Sequence, residues 1–141
     1  MTTYLLDTNI CIYIIKNKPI HIAQKVASIP KSDHIAMSYI TYAELLFGTY
    51  KSSKPQQAIA RLEALTQVVP VLCPDKMIIP HYAEQRHILE RSGKMIGAND
   101  LWIAAHALSL KAILVSNDTE FQRIDGLLLE NWAEHNESKE E

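Results

Sequence analysis

The segment Thr3-Tyr4-Leu5-Leu6-Asp7-Thr8-Asn9 passes in one step from apolar to acidic. Tyr4, Leu5 and Leu6 suit a short strand buried on both faces, and such a strand delivers Asp7 to its carboxyl end, where α/β sheets place their ligands. Alone, an Asp-Thr pair equally suits the cap of a helix starting at Asn9. The same pattern returns once: Ala112-Ile113-Leu114-Val115-Ser116 is a second apolar run ending in Asn117-Asp118. Between them, Ile35-Ala36-Met37-Ser38 reads as a strand, and Val68 to Leu72 reads as another, with Pro70 favouring an edge position. Leu127 to Leu129 is the last candidate.

Helical spacing fills the intervals. The chain predicts a short apolar helix over residues 10–15, one over Ile20 to Ser28 with Ile22, Val26 and Ile29 inward, and one from Ile40 to Lys51 capped by Ser38. A helical hairpin arm follows, with Ala58, Ile59, Leu62 and Leu65 on one face of its second helix. Residues 80–92 form a further helix, with Asp75 to Ile79 as candidate first turns, Tyr82, Ala83, Ile88 and Leu89 inward and Gly93 as its terminal cap. The most regular helix opens after Gly97, with Asp100 in its first turn and Leu101, Ala104, Ala105 and Leu108 at the 3.6 period. Strands alternating with helices imply right-handed crossovers, a mostly parallel central sheet and an α/β class.

The 141 residues, 48% hydrophobic and 21% charged, suit one globular domain. Fourteen Lys and Arg against 16 Asp and Glu give a net charge of −2, so any contact with nucleic acid is local rather than a property of the whole chain. Cys11 and Cys73 have apolar neighbours and no metal-ligand spacing, and are expected to be reduced core thiols of a cytoplasmic protein. No apolar run is long enough to span a bilayer. From Asn131 onward the chain turns polar and acidic and is expected to fray, the tail 134–141 especially, which is expected to be disordered outside a domain of residues 1–133.

Parallel topology puts strand ends and the starts of the following helices on one rim. Asp7 and Asp118 follow strands, Asp100 opens a helix, and Glu44 lies a turn into a helix that follows a strand. Glu44 also sits between Ala43 and Leu45-Leu46-Phe47, an odd setting for a solvated charge. Four carboxylates crowded together raise one another's pKa and cost stability unless a cation neutralises them. Oxygen donors select a hard ion, Mg²⁺ or Mn²⁺, whereas zinc would want His or Cys. The six histidines show no ligand spacing, and His106 is expected to pack or lie at the surface.

Leu5-Leu6-Asp7-Thr8-Asn9 followed by Ser38-Tyr39-Ile40-Thr41-Tyr42-Ala43-Glu44-Leu45-Leu46-Phe47-Gly48 closely resembles the PIN-domain ribonucleases of the VapC toxin family. Ile96 to Ala107, containing Gly97-Ala98-Asn99-Asp100, is similar to that family's third acidic motif, and Leu114 to Phe121 to its fourth. The resemblance spans nearly the whole chain in order. It implies a PIN-like α/β/α sandwich, an acidic quartet of Asp7, Glu44, Asp100 and Asp118, and polar support from Thr8, Asn9 and Ser116. The fourth motif is the loosest in the family, so Glu120 stands as a substitute for Asp118.

The expected reaction is hydrolysis of an RNA phosphodiester with one or two Mg²⁺ or Mn²⁺ ions. Asp7, Asp100 and Asp118 would be ligands, and Glu44 a ligand directly or through water. Lys16, Lys18, Arg86, Arg91 and Lys94 are the candidates to steer RNA past the acidic site. Tyr13 and Trp102 lie in apolar helical runs and are expected in the core. The resemblance also implies a homodimer and a cognate VapB-type antitoxin that covers the pocket. Spare apolar surface on the 10–15 and 40–47 helices leaves room for such a partner. The likeness extends to enteric-type toxins that cut initiator tRNA in its anticodon stem-loop. Three other readings compete: a catalytically inactive PIN-like interaction domain, a phosphatase of the haloacid dehalogenase type, and a receiver-type binding module, which would need an acidic pair that is absent before Tyr4. The phosphatase needs a second Asp two residues after the first, where this chain has Asn9.

Overall fold

The computed structural model describes residues 1–133, and the expected tail 134–141 lies outside the described residues. In chain order the elements are β1 (Thr3–Leu6), α1 (Thr8–Lys16), α2 (Ile20–Ser28), β2 (His34–Ser38), α3 (Tyr39–Tyr50), α4 (Pro55–Val68) and β3 (Val71–Leu72). Then come α5 (Ile78–Ser92), α6 (Ala98–Leu110), β4 (Ile113–Val115), a 3₁₀ turn (Thr119–Arg123) and β5 (Leu128–Glu130). No helix among the described residues is long and apolar enough to cross a membrane.

All five strands are parallel, in the order β3-β2-β1-β4-β5. The chain builds outward from β1 on one side through β2 and β3, then returns to add β4 and β5 on the other. The strand order therefore reverses beside β1, and open α/β sheets bind ligands at the carboxyl end of such a switch point. Leu5 stands opposite Ala36 and Leu114 in the register, and Leu6 opposite Met37 and Val115. Because successive side chains alternate faces, these two rows seed two cores. Leu5, Ala36 and Leu114 pack with Leu89, Leu101, Ile103, Ala104 and Ala107 of α5 and α6. Leu6, Met37 and Val115 pack with Ile10, Ile22, Leu45, Leu62 and Leu65 from the first four helices. The result is the expected α/β/α sandwich.

Several expectations about individual residues need correction. Cys11 is buried, but Cys73 is exposed, because β3 ends at Leu72 and the chain leaves the sheet edge there. On α5 the inward stripe runs through Ile78, Gln85 and Leu89 with Tyr82 half-buried, so Ala83 and Ile88, rotated from that stripe, face outward. The helix itself begins at Ile78, within the candidate first turns. Trp102 and Tyr13 are half-buried rather than core: Trp102 stacks on Tyr82 with ring centroids 3.7 Å apart, and Tyr13 reaches the rim described below.

The largest miss is Trp132, in a stretch that composition alone assigns to the polar end of the chain. It is 4% exposed, joins the α1–α4 core, lies 5.4 Å from the Tyr4 ring, and donates from Nε1 to Glu130 Oε1 at 2.9 Å. His21 Nε2 lies 2.8 Å from the Ala133 carbonyl oxygen and ties the same segment to α2. Trp132→Ala is expected to cost about 3 kcal/mol, the lower end for truncating a buried aromatic. Urea unfolding would read this as a lower midpoint at unchanged slope. A change below about 0.5 kcal/mol would place Trp132 outside the core.

Candidate active site

The site is assembled at the switch point. Asp7 follows β1, and its amide donates to Val115 O at 3.0 Å, extending the β1–β4 pairing to the strand end. Its side chain is 5% exposed. Oδ1 accepts from the amide of Ile10 at 3.0 Å, capping α1, while Oδ2 accepts from the Ser116 hydroxyl. Asp7 is thus the cap of α1 as well as a candidate site residue. Burial pushes its carboxyl above the usual value, Ser116 and the Ile10 amide pull it back, and Asp118 and Glu44 push it up again.

Ser116 connects two of the acids. Its Oγ donates to Asp7 and accepts from the Asp118 amide at 3.0 Å. Asp118 Oδ1 in turn accepts from the Glu120 amide at 2.9 Å, capping the 3₁₀ turn. Glu44 arrives from α3, where Ser38 caps the helix through Ile40 N at 3.2 Å, and its Oε1 accepts from the Thr8 hydroxyl at 2.7 Å. Thr8 and Ser116 thus each hydrogen-bond to one of the acids, whereas Asn9 is exposed on the first turn of α1.

Asp100 sits in the first turn of α6, half-buried, with its carboxyl pushed up to about 6. Burial is the main cause, followed by the charges of Asp118, Glu44, Asp7 and Glu120. Of the expected quartet, Asp100 and Asp118 share a cluster close enough to hold one ion, whereas Asp7 and Glu44 do not belong to it. One oxygen each from Asp100, Asp118 and Glu120 lies within 4.8 Å of the others. Glu120, expected only as a substitute for Asp118, stands beside it instead. The donors are all carboxylate oxygens with no His or Cys among them, so the set fits a hard divalent cation and not zinc.

His106 is buried on α6. The Ser38 hydroxyl, which accepts from the Ile40 amide, is also hydrogen-bonded to His106 Nδ1 at 2.8 Å, and burial pushes the imidazole below its usual value. It acts as a neutral packing residue between α3 and α6.

Titration should report the crowding. Because the folded Asp100 value lies above the ordinary 3.8, the folded chain holds more protons than the unfolded one between 3.8 and about 6. The stability Asp100 contributes is therefore full below that window and lost as pH rises through it. The melting temperature of chelator-treated protein is expected to fall across that window, more steeply than that of Asp100→Asn, and Mg²⁺ is expected to restore it at neutral pH. Equal slopes for the two proteins would contradict the arrangement.

Basic residues are distributed unevenly. Lys16 lines a cleft of about 330 Å³ together with Thr8, Glu44, Ile12, Ile15 and Arg61, so one side of this cleft is shared with the acids. Arg61, on α4, belongs to no recognisable motif, and only the folding of the hairpin arm onto α1 brings it there. Arg86 is spent on Glu90 at 2.9 Å and the Tyr82 hydroxyl at 3.2 Å. Lys18, Arg91 and Lys94 are exposed. Tyr13 OH accepts from Asn117 Nδ2 at 2.9 Å, a contact that its apolar sequence setting concealed.

Residues 4–127 match the model of the PIN domain. The chain is 47% identical over 131 residues to ribonuclease VapC1 of Haemophilus influenzae strain R2866, covering 92% of this chain and 98% of that protein. It is 37% identical over 134 residues to the tRNA(fMet)-specific endonuclease VapC of Shigella flexneri, covering 94% of this chain and all of that one. Among solved structures, VapBC-1 from nontypeable Haemophilus influenzae contains a chain that superposes with a TM-score of 0.89 at 46% identity, covering 94% of this chain and 100% of the other.

Proposed function

From the premise that the chain belongs to the PIN-domain family of VapC ribonucleases, we propose that it is the RNA-hydrolysing toxin of a toxin–antitoxin pair, working through the acids gathered at the β1–β4 switch point. The observation that carries this reading is the convergence of Asp100, Asp118 and Glu120 oxygens within 4.8 Å, next to a buried Asp7. Family membership removes the phosphatase alternative.

Asp7, Asp100, Asp118 and Glu120 would hold one or two Mg²⁺ or Mn²⁺ ions. A divalent cation bound there neutralises phosphodiester oxyanions and makes a water acidic enough to attack near neutral pH. The protein residues supply orientation. Ser116 fixes the Asp7 carboxylate and the Asp118 backbone together. Thr8 occupies Glu44 Oε1, which leaves Oε2 to orient a water or take its proton. Lys16 and Arg61, on the cleft shared with Glu44, are placed to pair with flanking phosphates, offsetting the repulsion of RNA by the acids.

The substrate class we assign is tRNA, by similarity to the Shigella relative, and the partner a VapB-type antitoxin, by similarity to the VapBC-1 assembly. Homodimerisation of the toxin chain is part of the same reading. Phe47 and Tyr50 are 60% and 69% exposed on α3, apolar surface that a partner chain would cover. The experiment is mapping of RNA ends in cells after brief induction. New ends concentrated in tRNA, absent with Asp100→Asn, are expected. Identical end profiles for the two proteins would instead support a catalytically inactive interaction domain.

A further inference from the structure

A second pocket adjoins the acidic cluster, and we propose that it seats one unpaired base of the RNA, next to the phosphate being cut. The inference rests on the ribonuclease reading and deepens it. The pocket, about 160 Å³, lies beyond the carboxyl ends of β4 and β5, under the 3₁₀ turn, and its walls include Asn117, Asp118, Gln122, Leu129, Glu130 and Asn131. Asp118 belongs both to this wall and to the acid cluster, and Ser116, which also lines the pocket, touches Asp7. A base seated here therefore belongs to a nucleotide flanking the scissile bond.

The lining chemistry selects a base over a phosphate. Among the described residues no Lys or Arg lines the pocket, and the carboxylates of Asp118 and Glu130 repel an anion. Three carboxamides and one glutamate instead offer both donors and acceptors, which is what the Watson–Crick edge of a neutral base requires. Their inventory is open on the side that matters. Asn117 spends Nδ2 on Tyr13, leaving its carbonyl oxygen. Asn131 spends Oδ1 on the Ala133 amide at 2.9 Å, leaving its NH₂. Glu130 gives Oε1 to Trp132 and keeps Oε2. Gln122 has no hydrogen-bond partner among the described residues, and Leu129 supplies apolar contact for a ring face. Three of the four polar side chains are thus held in place by an internal hydrogen bond, so little ordering cost attends binding.

The test compares short single-stranded RNAs that carry each of the four bases, or an abasic residue, beside the cut, with the full chain and the Gln122→Ala/Asn131→Ala variant, in Mg²⁺ or Mn²⁺. Both substitutions are at exposed positions outside the acid cluster. Wild type is expected to favour one base over the abasic RNA by about tenfold in kcat/KM, the discrimination a pair of base-edge hydrogen bonds supplies. The variant is expected to lose that preference through KM while cutting abasic RNA at the wild-type rate. An unchanged base preference in the variant would overturn the proposal. Equal losses on base-bearing and abasic RNA would also overturn it, by revealing a backbone contact. Failure of wild type to cut either these RNAs or tRNA assayed beside them would remove the ribonuclease reading itself, an outcome distinct from either.

Discussion

Asp7→Asn is expected to lower RNA cleavage by about a thousandfold, the equivalent of several kcal/mol of transition-state charge stabilisation at about 1.4 kcal/mol per tenfold. The fold should survive, for reasons visible at each oxygen. Asn is as good a helix cap as Asp, so the bond from the Ile10 amide to Oδ1 is kept. The Ser116 hydroxyl, which donates to Asp7 Oδ2, can reverse and accept from an amide placed there. The charge that burial and the neighbouring Asp118 and Glu44 make costly is removed. A melting temperature equal to or above wild type in chelator, combined with loss of cleavage, is the expected pair of results. Full-rate cleavage would take Asp7 out of the reaction, and unfolding would show that the carboxylate serves the helix more than the site.

A second large effect is expected from Asp118 and Glu120 together. Because their oxygens and that of Asp100 share one 4.8 Å neighbourhood, either acid can partly cover for the other. Asp118→Asn keeps the cap on the 3₁₀ turn through its remaining oxygen, and Glu120→Gln disturbs no hydrogen bond of its side chain among the described residues. Each single change is expected to cost about tenfold to a hundredfold, in the range seen for groups that support a metal site. The double variant should lose more than the product of the two, since nothing then replaces the missing charge. Single-turnover cleavage of a labelled RNA by the four proteins measures this. A double variant no worse than Asp118→Asn would make Glu120 a bystander.

The parts legible from sequence are those carried by local pattern. Tyr4-Leu5-Leu6 before Asp7 and Ile113-Leu114-Val115 before Ser116 announce buried strands, and two strands ending in polar rims are enough to place Asp7 and Asp118 together. Glu44 stood out because Ala43 and Leu45 gave it no reason to be charged. What escaped notice depends on tertiary closure. Trp132 looked like tail because nothing in Asn131-Trp132-Ala133 hints that Tyr4 and α2 will cover it. Gln85 is inward and Ile88 outward because the α5 stripe is set by its packing on α6 rather than by hydrophobicity. Cys73 had apolar neighbours but fell just past a two-residue edge strand. Arg61 reaches the cleft beside Glu44 through the α3–α4 hairpin, a contact across 17 positions that no motif encodes.

The account depends above all on the acids acting as a single cation site. Crystals of the protein soaked in Mn²⁺ and measured near the manganese absorption edge test this most directly. An anomalous peak among the carboxylates of Asp100, Asp118 and Glu120, lost in Asp100→Asn, is the predicted result. Full manganese occupancy at other surface carboxylates, with no peak among these three, would contradict it.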